Sequence, residues 1–178
     1  DILHEGEVID AIERMKEAGK VRFIGYSGDN EAAEWASLDS RFDSIQTSFN
    51  VLDQGAKNMV FPGVNKTQKG LIAKRPIANG AWGADKSPSA YASEYFRRYE
   101  IINSNGIDID TDLSPIELSL AFALSHQTIN VHIVGTTNLS HLKSNIKQVE
   151  TELLLDEKTL NQLYEVYDQS NDNWISQT

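Results

Sequence analysis

The chain has 178 residues, and its 16 Lys and Arg against 26 Asp and Glu give a formal net charge of −10 at pH 7. This balance argues against a nucleic acid partner, because affinity for phosphate backbones comes largely from clustered Lys and Arg. The absence of Cys excludes disulfides, thiol nucleophiles and Cys-ligated metals. No apolar run approaches the roughly 20 residues of a membrane span, and no signal-like leader opens the sequence. We expect one cytoplasmic domain over residues 1–178 that binds no membrane.

The first part of the chain predicts a helix, a strand and a second helix. Apolar residues recur at helical spacing over 7–18, and Gly19 follows as a C-terminal cap. The run 21–27 is rich in residues that favour strands. Asn30 is placed to cap a helix over 31–37.

The middle of the chain predicts two further strands and a long irregular segment. The runs 44–50 and 70–77 are strand-like, and Pro62 should interrupt the helical stretch between them. Residues 78–113 are rich in Gly, Ser, Asn and Asp and contain one predicted helix over 90–102. A long irregular segment in a compact domain is more often functional than accidental.

The last part predicts a helix, a fourth strand and two more helices. Ser114–Glu117 form a capping box with Pro at the first helical position, which predicts a helix over 115–125. The run 131–135 predicts a strand, and Asn138 and Asp156 each stand where a further helix begins.

Strands that alternate with helices predict an α/β fold with a parallel sheet and right-handed crossovers. Ligands bind such sheets at the carboxyl ends of the strands, which here are 27–30, 50–54, 75–82 and 135–138. A complete eight-stranded barrel usually needs about 250 residues, whereas this sequence predicts four strands. The pattern is typical of half a barrel.

Four sequence blocks carry a resemblance to a known family. They are Gly19–Ser27, Ile45–Asn50, Arg75–Gly80 and Ile133–Ile146. Each is weakly specific alone, but in this order and spacing they resemble strands five to eight of the aldo-keto reductase barrel. The resemblance implies that the chain is the C-terminal half of a (β/α)8 TIM-type barrel with four parallel strands. It also implies a nicotinamide cofactor bound without a G-x-G-x-x-G loop, and the sequence contains no such loop.

The resemblance further implies a set of cofactor-binding residues. They are Ser27, Gln46, Arg75, Pro76, Ile77, Gly80, Gly135, Thr136, Thr137, His141 and Asn145. Ser27 and Gln46 would hold the nicotinamide carboxamide, and residues 75–80 would wrap the pyrophosphate. Residues 135–137 would lie at the adenosine end, and Asn145 would meet the adenine.

Two positions depart from the family pattern. The family often has Asn where this chain has Gly28. His141 lies where many relatives place an Arg for the 2′-phosphate, and a neutral imidazole is a poorer anion partner than a guanidinium. The implied cofactor is NADP, with NAD as the alternative.

Some of these polar residues could instead have purely structural roles. Gln46 and Asn50 could satisfy buried backbone groups at a strand end, and Thr137 could be part of a helix cap. Lys74 and Arg75 could be solvated charges.

The implied chemistry is hydride transfer to a carbonyl, with a Tyr as general acid assisted by a Lys, a His and an Asp. None of these four positions is present, so no catalytic residue is assigned in this chain. His4 ends a strand-like run over 2–4, but the loop after it is too short for the family pattern, which favours an exposed loop His. Trp82, Tyr91 and Phe96 could line a substrate pocket or pack the irregular segment against the domain.

No metal site is predicted. His126 and His132 lack metal-ligand spacing, and there is no H-E-x-x-H sequence. Asp108, Asp110 and Asp112 alternate as in a calcium loop, but Gly at the sixth position and Glu at the twelfth are missing, which favours a solvated acidic loop.

The leading hypothesis is an NAD(P)-dependent aldo-keto reductase acting on a small carbonyl substrate, with this chain supplying the cofactor-binding half. The catalytic residues would belong to a missing N-terminal half of the barrel, without which we expect no stable, active monomer. The alternatives are a non-catalytic nicotinamide-binding or interaction module of the same family and an unrelated open α/β domain.

Overall fold

The computed structural model describes residues 2–106 and 109–177, with the backbone alone for Ile2 and His4. Within these residues the sheet has four parallel strands in the order β1-β2-β3-β4. The strands are β1 (Gly25–Ser27), β2 (Ser44–Ser48), β3 (Gly70–Lys74) and β4 (Val131–Ile133). The α-helices are α1 (Ile2–Glu5), α2 (Glu7–Glu17), α3 (Asn30–Leu38), α4 (Ala56–Met59), α5 (Phe61–Thr67), α6 (Ser93–Ser104), α7 (Pro115–Leu124), α8 (Leu139–Glu150) and α9 (Glu157–Ser170). Short 3-10 helices span Ala78–Gly80 and Ala90–Ala92.

Side chains alternate between the two faces of this sheet, as strand geometry requires. Ile45, Leu71 and Ala73 lie on one face and join the helices in the hydrophobic core. The opposite face, here called the open face, is half-buried or exposed and carries Ser27, Gln46, Ile72, Val131 and Ile133. The predicted α/β fold with four parallel strands is confirmed.

The strands are shorter than the sequence predicts. Residues 21–24 lie outside β1, and Phe23 within them is 70% exposed. Strand β3 ends at Lys74 because Arg75 adopts a left-handed conformation with φ 60°. Strand β4 ends at Ile133, two residues before the predicted end. β-Propensity therefore predicts where each strand lies, whereas hydrogen bonding to the neighbouring strands sets its length.

Three helix starts agree with the sequence. The Ser114 side chain accepts from Glu117 N while the Glu117 side chain accepts from Ser114 N, which completes the predicted capping box. The Asn138 side chain accepts from Ser140 N, and the Asp156 side chain accepts from Thr159 N. These signals are local, so the sequence alone specifies them.

Two predictions near the start of the chain are wrong. Residues 2–5 form a helix rather than the end of a strand. Asn30 is the first residue of α3, and Asp29 precedes it at the capping position. The Asn30 amide instead donates to Ser176 O (3.1 Å) and accepts from Ser176 N (2.8 Å).

The break predicted at Pro62 is present. The stretch divides at Val60 into α4 and α5, with Pro62 in the first turn of α5. Proline is tolerated in that turn because its missing N–H has no partner there in any case. The irregular segment over 78–113 contains α6, which ends two residues beyond the predicted helix.

The C-terminal segment, residues 174–177, lies across the carboxyl ends of the strands. The buried carboxylate of Asp53 accepts from Ser176 Oγ (2.6 Å), Gln177 N (3.1 Å) and Tyr95 Oη (2.9 Å). Arg98, 1% exposed, donates to the Ile175 carbonyl (2.6 Å). These bonds fix the end of the described chain against the loops that follow β1 and β2.

Apolar surface is exposed at both lateral edges of the sheet. Phe23 precedes edge strand β1, and Val131 and Ile133 lie on edge strand β4, where 50% and 46% of each residue is exposed. On α8, Ile146 and Val149 are also exposed, at 48% and 53%. None of the described helices has the length and apolar character of a membrane span.

His126 lies in an aromatic cluster behind the sheet. Its ring lies 4.6 Å from the Phe49 ring and 4.8 Å from the Phe122 ring, centroid to centroid. With the proton on Nδ1, the ring donates to Phe122 O (2.7 Å), and Nε2 accepts from Tyr164 Oη (2.8 Å). Burial lowers the pKa of His126 to about 4. The folded state therefore favours the neutral form of the His126 ring.

We predict that His126 makes the fold sensitive to mild acid. In the unfolded chain His126 is protonated as the pH falls through about 6.5, the ordinary pKa of His, whereas in the folded chain it is protonated only near pH 4. The free energy of unfolding therefore decreases over this interval. The expected loss between about pH 7 and pH 4.5 is about 2 kcal/mol, measured by urea unfolding. His126→Gln should reduce that loss, while His141→Gln, at an exposed position, should not. Equal acid sensitivity in both variants would contradict the assignment.

Candidate functional site

A groove of about 870 Å³ lies between the carboxyl ends of β3 and β4 and the first turns of α7 and α8. Its lining includes Arg75, Pro76, Ile77, Gly80, Gly135, Thr136, His141 and Asn145. All of these were predicted as cofactor residues from separate sequence blocks. The edge formed by the carboxyl ends of parallel strands is where ligands bind in α/β folds.

The other three predicted residues are not among those that line the groove. Gln46 Nε2 donates to Ser27 Oγ (3.1 Å), so these side chains form a polar pair on the open face, at the end of β1 and the middle of β2. Thr137 directly follows the lining residue Thr136. The Gln46–Ser27 bond joins two side chains, so Gln46 is not used to satisfy buried backbone. Asn50 does have that role, because it donates to Arg75 O (3.0 Å) and accepts from Leu52 N (2.9 Å).

The segment after β3 has an unusual backbone. Arg75, Ala78 and Asn79 have φ values of 60°, 48° and 54°, in the left-handed region that costs energy for residues other than Gly. Gly80 follows with φ 76°. Two tight turns close this segment, through Ala78 N to Arg75 O (2.9 Å) and Gly80 N to Ile77 O (2.8 Å). The resulting curl forms one wall of the groove.

Asn79 gives this wall an unsatisfied donor. Its Nδ2 atom is buried and has no hydrogen-bond partner among the described residues. Asn79 also lines the groove. Because buried polar groups are almost always paired, an anionic or carbonyl acceptor on a ligand would suit this position. A phosphate oxygen fits that requirement.

Arg75 is held in place by several partners. Nη1 donates to Ser48 Oγ (2.8 Å), and Nε donates to Tyr91 Oη (2.8 Å). The guanidinium carbon lies 5.0 Å from the centre of the Tyr91 ring, and Nη1 also donates to Gln177 O. The interpretation of Arg75 as a solvated charge is therefore wrong.

Lys74 is fixed by a buried carboxylate. Its Nζ lies 2.7 Å from Asp29 Oδ2, and the Asp29 side chain is fully buried. Asp29 Oδ1 accepts from Thr47 Oγ1 (3.0 Å) and Ser48 N (2.6 Å). One carboxylate thus links the ends of β1, β2 and β3, and Lys74 is a paired cation at the groove rather than a solvated one.

Close packing of Tyr26 explains why position 28 is a Gly. A Cβ atom there would lie 2.4 Å from Tyr26 Oη and 2.7 Å from its ring, which no side chain can accommodate without moving Tyr26. An Asn at position 28 is therefore incompatible with this Tyr26 position. Burial, assisted by the charge of Asp29, raises the pKa of Tyr26, so its hydroxyl stays protonated.

The far end of the groove lies between α7 and α8. Ser114, Glu117 and Ser144 line it together with His141 and Asn145. Glu117 Oε2 accepts from Ser114 Oγ (2.5 Å) and Ser114 N (3.0 Å), and these bonds lower the pKa of Glu117. The sequence identified Ser114 and Glu117 only as a helix cap, because their place in the groove depends on packing between α7 and α8.

Aromatic residues of the irregular segment have different environments. Trp82 is 8% exposed and packs edge-on against Tyr99 at 5.5 Å between centroids. Phe96 lies 6.4 Å from the same ring. Tyr91, by contrast, lines the groove. Of the three proposed pocket residues, Tyr91 alone among those described has that location.

The described residues hold no proton donor of the expected kind at the groove. Lys57 Nζ lies 3.1 Å from the centre of the Tyr164 ring, but burial raises the pKa of Tyr164, the opposite of what a Tyr acid needs. Neither residue lines the groove. No group of three potential metal ligands occurs in 2–106 and 109–177, and Asp108 of the acidic loop lies outside the described residues.

Comparison with known proteins gives the family. A profile of the Aldo/keto reductase family matches residues 3–168. The chain belongs to the aldo/keto reductase family. The alternative of an unrelated open α/β domain is thereby excluded, and membership in a family of oxidoreductases agrees with the sequence resemblance.

Individual relatives are distant. The chain is 26% identical over 164 residues to the "Uncharacterized oxidoreductase YqkF" of Bacillus subtilis, across 85% of this chain and 52% of that protein. It is 21% identical over 174 residues to "Probable aldo-keto reductase 1" of Glycine max, across 89% and 50%. The holo form of aldo-keto reductase AKR11C1 from Bacillus halodurans has a similar fold, with a TM-score of 0.73 and 20% identity across 90% of this chain and 55% of that one. The chain spans about half the length of these relatives.

We predict that the Asp29–Lys74 pair stabilises the groove. Asp29→Asn should destabilise the protein by about 2 kcal/mol, below the usual 3–5 kcal/mol for a broken buried pair because Lys74 retains some access to water. The free energy of unfolding should decrease less in the double variant Asp29→Asn/Lys74→Met than in the single variant, since no unpaired cation remains. Urea unfolding of the three proteins measures both values. A double variant less stable than Asp29→Asn would contradict the pairing argument.

Proposed function

We propose that this chain supplies the cofactor-binding half of an NAD(P)-dependent aldo-keto reductase, corresponding to strands five to eight of a (β/α)8 barrel. One observation carries the proposal. Residues from the β3 end, and residues from the β4 end and α8, were assigned to the cofactor from two different sequence blocks and line a single groove. A chance agreement of blocks so far apart in the chain would not produce one continuous site.

The groove has the features that a dinucleotide needs. The curled segment 75–80 offers the unpaired Asn79 amide and the cationic Arg75 beside it, which suits a pyrophosphate. A Cβ atom at Gly135 would meet nothing within 4 Å, so the backbone there faces open space. The Ser27–Gln46 pair combines donors and acceptors that match a carboxamide. The bound cofactor would supply the hydride.

The substrate in this proposal is a small carbonyl compound. Its reduction also needs a proton donor, and the described lining residues include no Tyr with a Lys partner that could provide one. We therefore assign the donor to a complementary half of the barrel. Such a half would cover the open face and the apolar edges at Phe23 and Val131, which supports its existence. We also expect a cytoplasmic location.

The second candidate is a non-catalytic nicotinamide-binding or interaction module of the same family. The absence of a Tyr with a Lys partner among the described groove residues favours it, since binding needs only the groove. An early strand with Asp and Tyr, a Lys and a His in the complementary half would distinguish the enzyme from the module.

We predict that Gln46→Ala weakens binding of the nicotinamide dinucleotide by about 0.5–1.5 kcal/mol, the usual net value of a neutral hydrogen bond. Fluorescence titration with NADPH and NADH measures the change. Gln127→Ala, at an exposed Gln outside the groove, is the matched control and should bind normally. Unchanged affinity in Gln46→Ala, or an equal loss in Gln127→Ala, would count against the role of Gln46.

We also predict that residues 1–178 alone catalyse no detectable hydride transfer. Cofactor positioning without a proton donor leaves the carbonyl oxygen unprotonated. The measurement combines verified mass, light scattering and the decay of NADPH absorbance with an aldehyde present. Monomeric material of 178 residues that reduces the aldehyde would overturn the division into two halves.

A further inference from the structure

The C-terminal segment, residues 174–177, is docked at the strand ends mainly through its backbone. Asn30 Oδ1 accepts from Ser176 N (2.8 Å), and Asn30 Nδ2 donates to Ser176 O (3.1 Å), so one amide side chain binds both backbone groups of one residue. Arg98 Nη2 donates to the Ile175 carbonyl (2.6 Å). These contacts fix the path of the segment's backbone over the loops that follow the strands.

Apolar burial contributes little to this docking. Ile175 is 70% exposed, and the half-buried Trp174 ring has the Arg98 guanidinium carbon 5.1 Å from its centre. Ser176 is buried, but its contact is polar, since its hydroxyl donates to Asp53 Oδ1 (2.6 Å). Parts of a protein with few buried apolar contacts open locally at a lower free-energy cost than global unfolding. The segment can therefore detach while the core stays folded.

The docked segment occupies a donor of Arg75. A guanidinium has five N–H groups. Nη1 donates to Ser48 Oγ (2.8 Å) and to Gln177 O, while Nε and Nη2 both donate to Tyr91 Oη. Four N–H groups thus have partners, which leaves one on Nη2. The strong paired geometry with a phosphate needs two parallel N–H groups, so Arg75 cannot provide it while the segment is docked.

The Gln177 carbonyl oxygen lies where an anion oxygen could bind. Ser48 Oγ also donates to it (3.0 Å), so a hydroxyl and a guanidinium converge on the same atom. Ser48 is fully buried, and its N–H donates to the Asp29 carboxylate (2.6 Å), so its position does not depend on the segment. A carbonyl oxygen and a phosphate oxygen both accept hydrogen bonds, so the two compete for these donors.

We propose that the C-terminal segment is an autoinhibitory strap, whose Gln177 carbonyl must leave Arg75 and Ser48 before these two residues bind a phosphate group of the dinucleotide. The proposal rests on the proposed cofactor-binding function and adds a conformational step to it. A ligand that binds only the detached state has its apparent affinity reduced by the fraction of molecules in that state. Weakening the docked state therefore strengthens binding of the ligand.

Calorimetric titration of the full-length protein with inorganic pyrophosphate, NADPH and NADH tests the strap. Asn30→Gly removes both bonds to Ser176, and Gly accepts the left-handed φ of 58° at this position. Loss of two neutral hydrogen bonds favours detachment by about fivefold or more, so the ligands should bind more tightly by about this factor. Weaker binding would show that the docked segment orients Arg75 for the ligand, and would overturn the proposal.

Two further variants complete the design. Ser176→Ala removes the hydroxyl bond to Asp53 and should tighten binding in the same direction as Asn30→Gly. Gln68→Gly is the matched control, because Gln68 is an exposed residue with φ 56° at the opposite end of the sheet, between α5 and β3. Its ligand affinities should equal those of the unmodified protein. Equal tightening in Gln68→Gly and Asn30→Gly would overturn the assignment to the segment.

Amide hydrogen exchange, followed by NMR, measures detachment directly. In the docked state Ser176 N and Gln177 N both donate hydrogen bonds, which slows their exchange. Saturating pyrophosphate should speed exchange at both amides. Asn130 N, which donates to Leu71 O (2.9 Å) away from the segment, should exchange at an unchanged rate. Unchanged exchange at Ser176 and Gln177 in the pyrophosphate-bound protein would overturn the strap.

Failure of the two proposals can be told apart. If pyrophosphate and both dinucleotides bind to none of the proteins, the proposed cofactor function fails, and the strap proposal fails with it. If they bind with the same affinity to the unmodified protein, Asn30→Gly and Ser176→Ala, only the strap proposal fails.

Discussion

The carboxylate of Asp29 is the interaction on which the rest of the site depends. It is buried where β1 ends, binds two groups at the end of β2 and pairs with Lys74 at the end of β3. Loops at three strand ends are thereby held at fixed separations. Because the backbone turns left-handed directly after Lys74, the position of this Lys also sets where the curled segment 75–80 begins. The groove wall is therefore an indirect consequence of one buried charge.

The C-terminal segment completes this arrangement from outside. Ser176 and Gln177 bind the buried carboxylate of Asp53, and the Gln177 carbonyl accepts from Ser48 Oγ (3.0 Å) and from Arg75. Burial raises the pKa of Asp53, and its three hydrogen-bond donors and the charge of Arg98 reduce this rise only in part. The orientation of Arg75 therefore depends on residues about one hundred positions away in the chain.

Local signals were predictable from the sequence, and long-range ones were not. The capping box at Ser114 joins residues three positions apart, and two of the four sequence blocks, Arg75–Gly80 and Ile133–Ile146, contain the eight predicted residues that line the groove. The contact between Asn30 and Ser176 joins residues 146 positions apart, so the sequence suggested a helix cap instead. The steric need for Gly28 depends on the rotamer of Tyr26, and the second role of Glu117 depends on how α7 meets α8. Tertiary packing decides each of these.

A structure of the protein with a nicotinamide dinucleotide bound would show whether the groove at the strand ends holds it. We expect the carboxamide at Ser27 and Gln46, the pyrophosphate along 75–80 and the adenosine between α7 and α8. Density for the dinucleotide at any other site, with this groove filled only by solvent, would contradict this expectation.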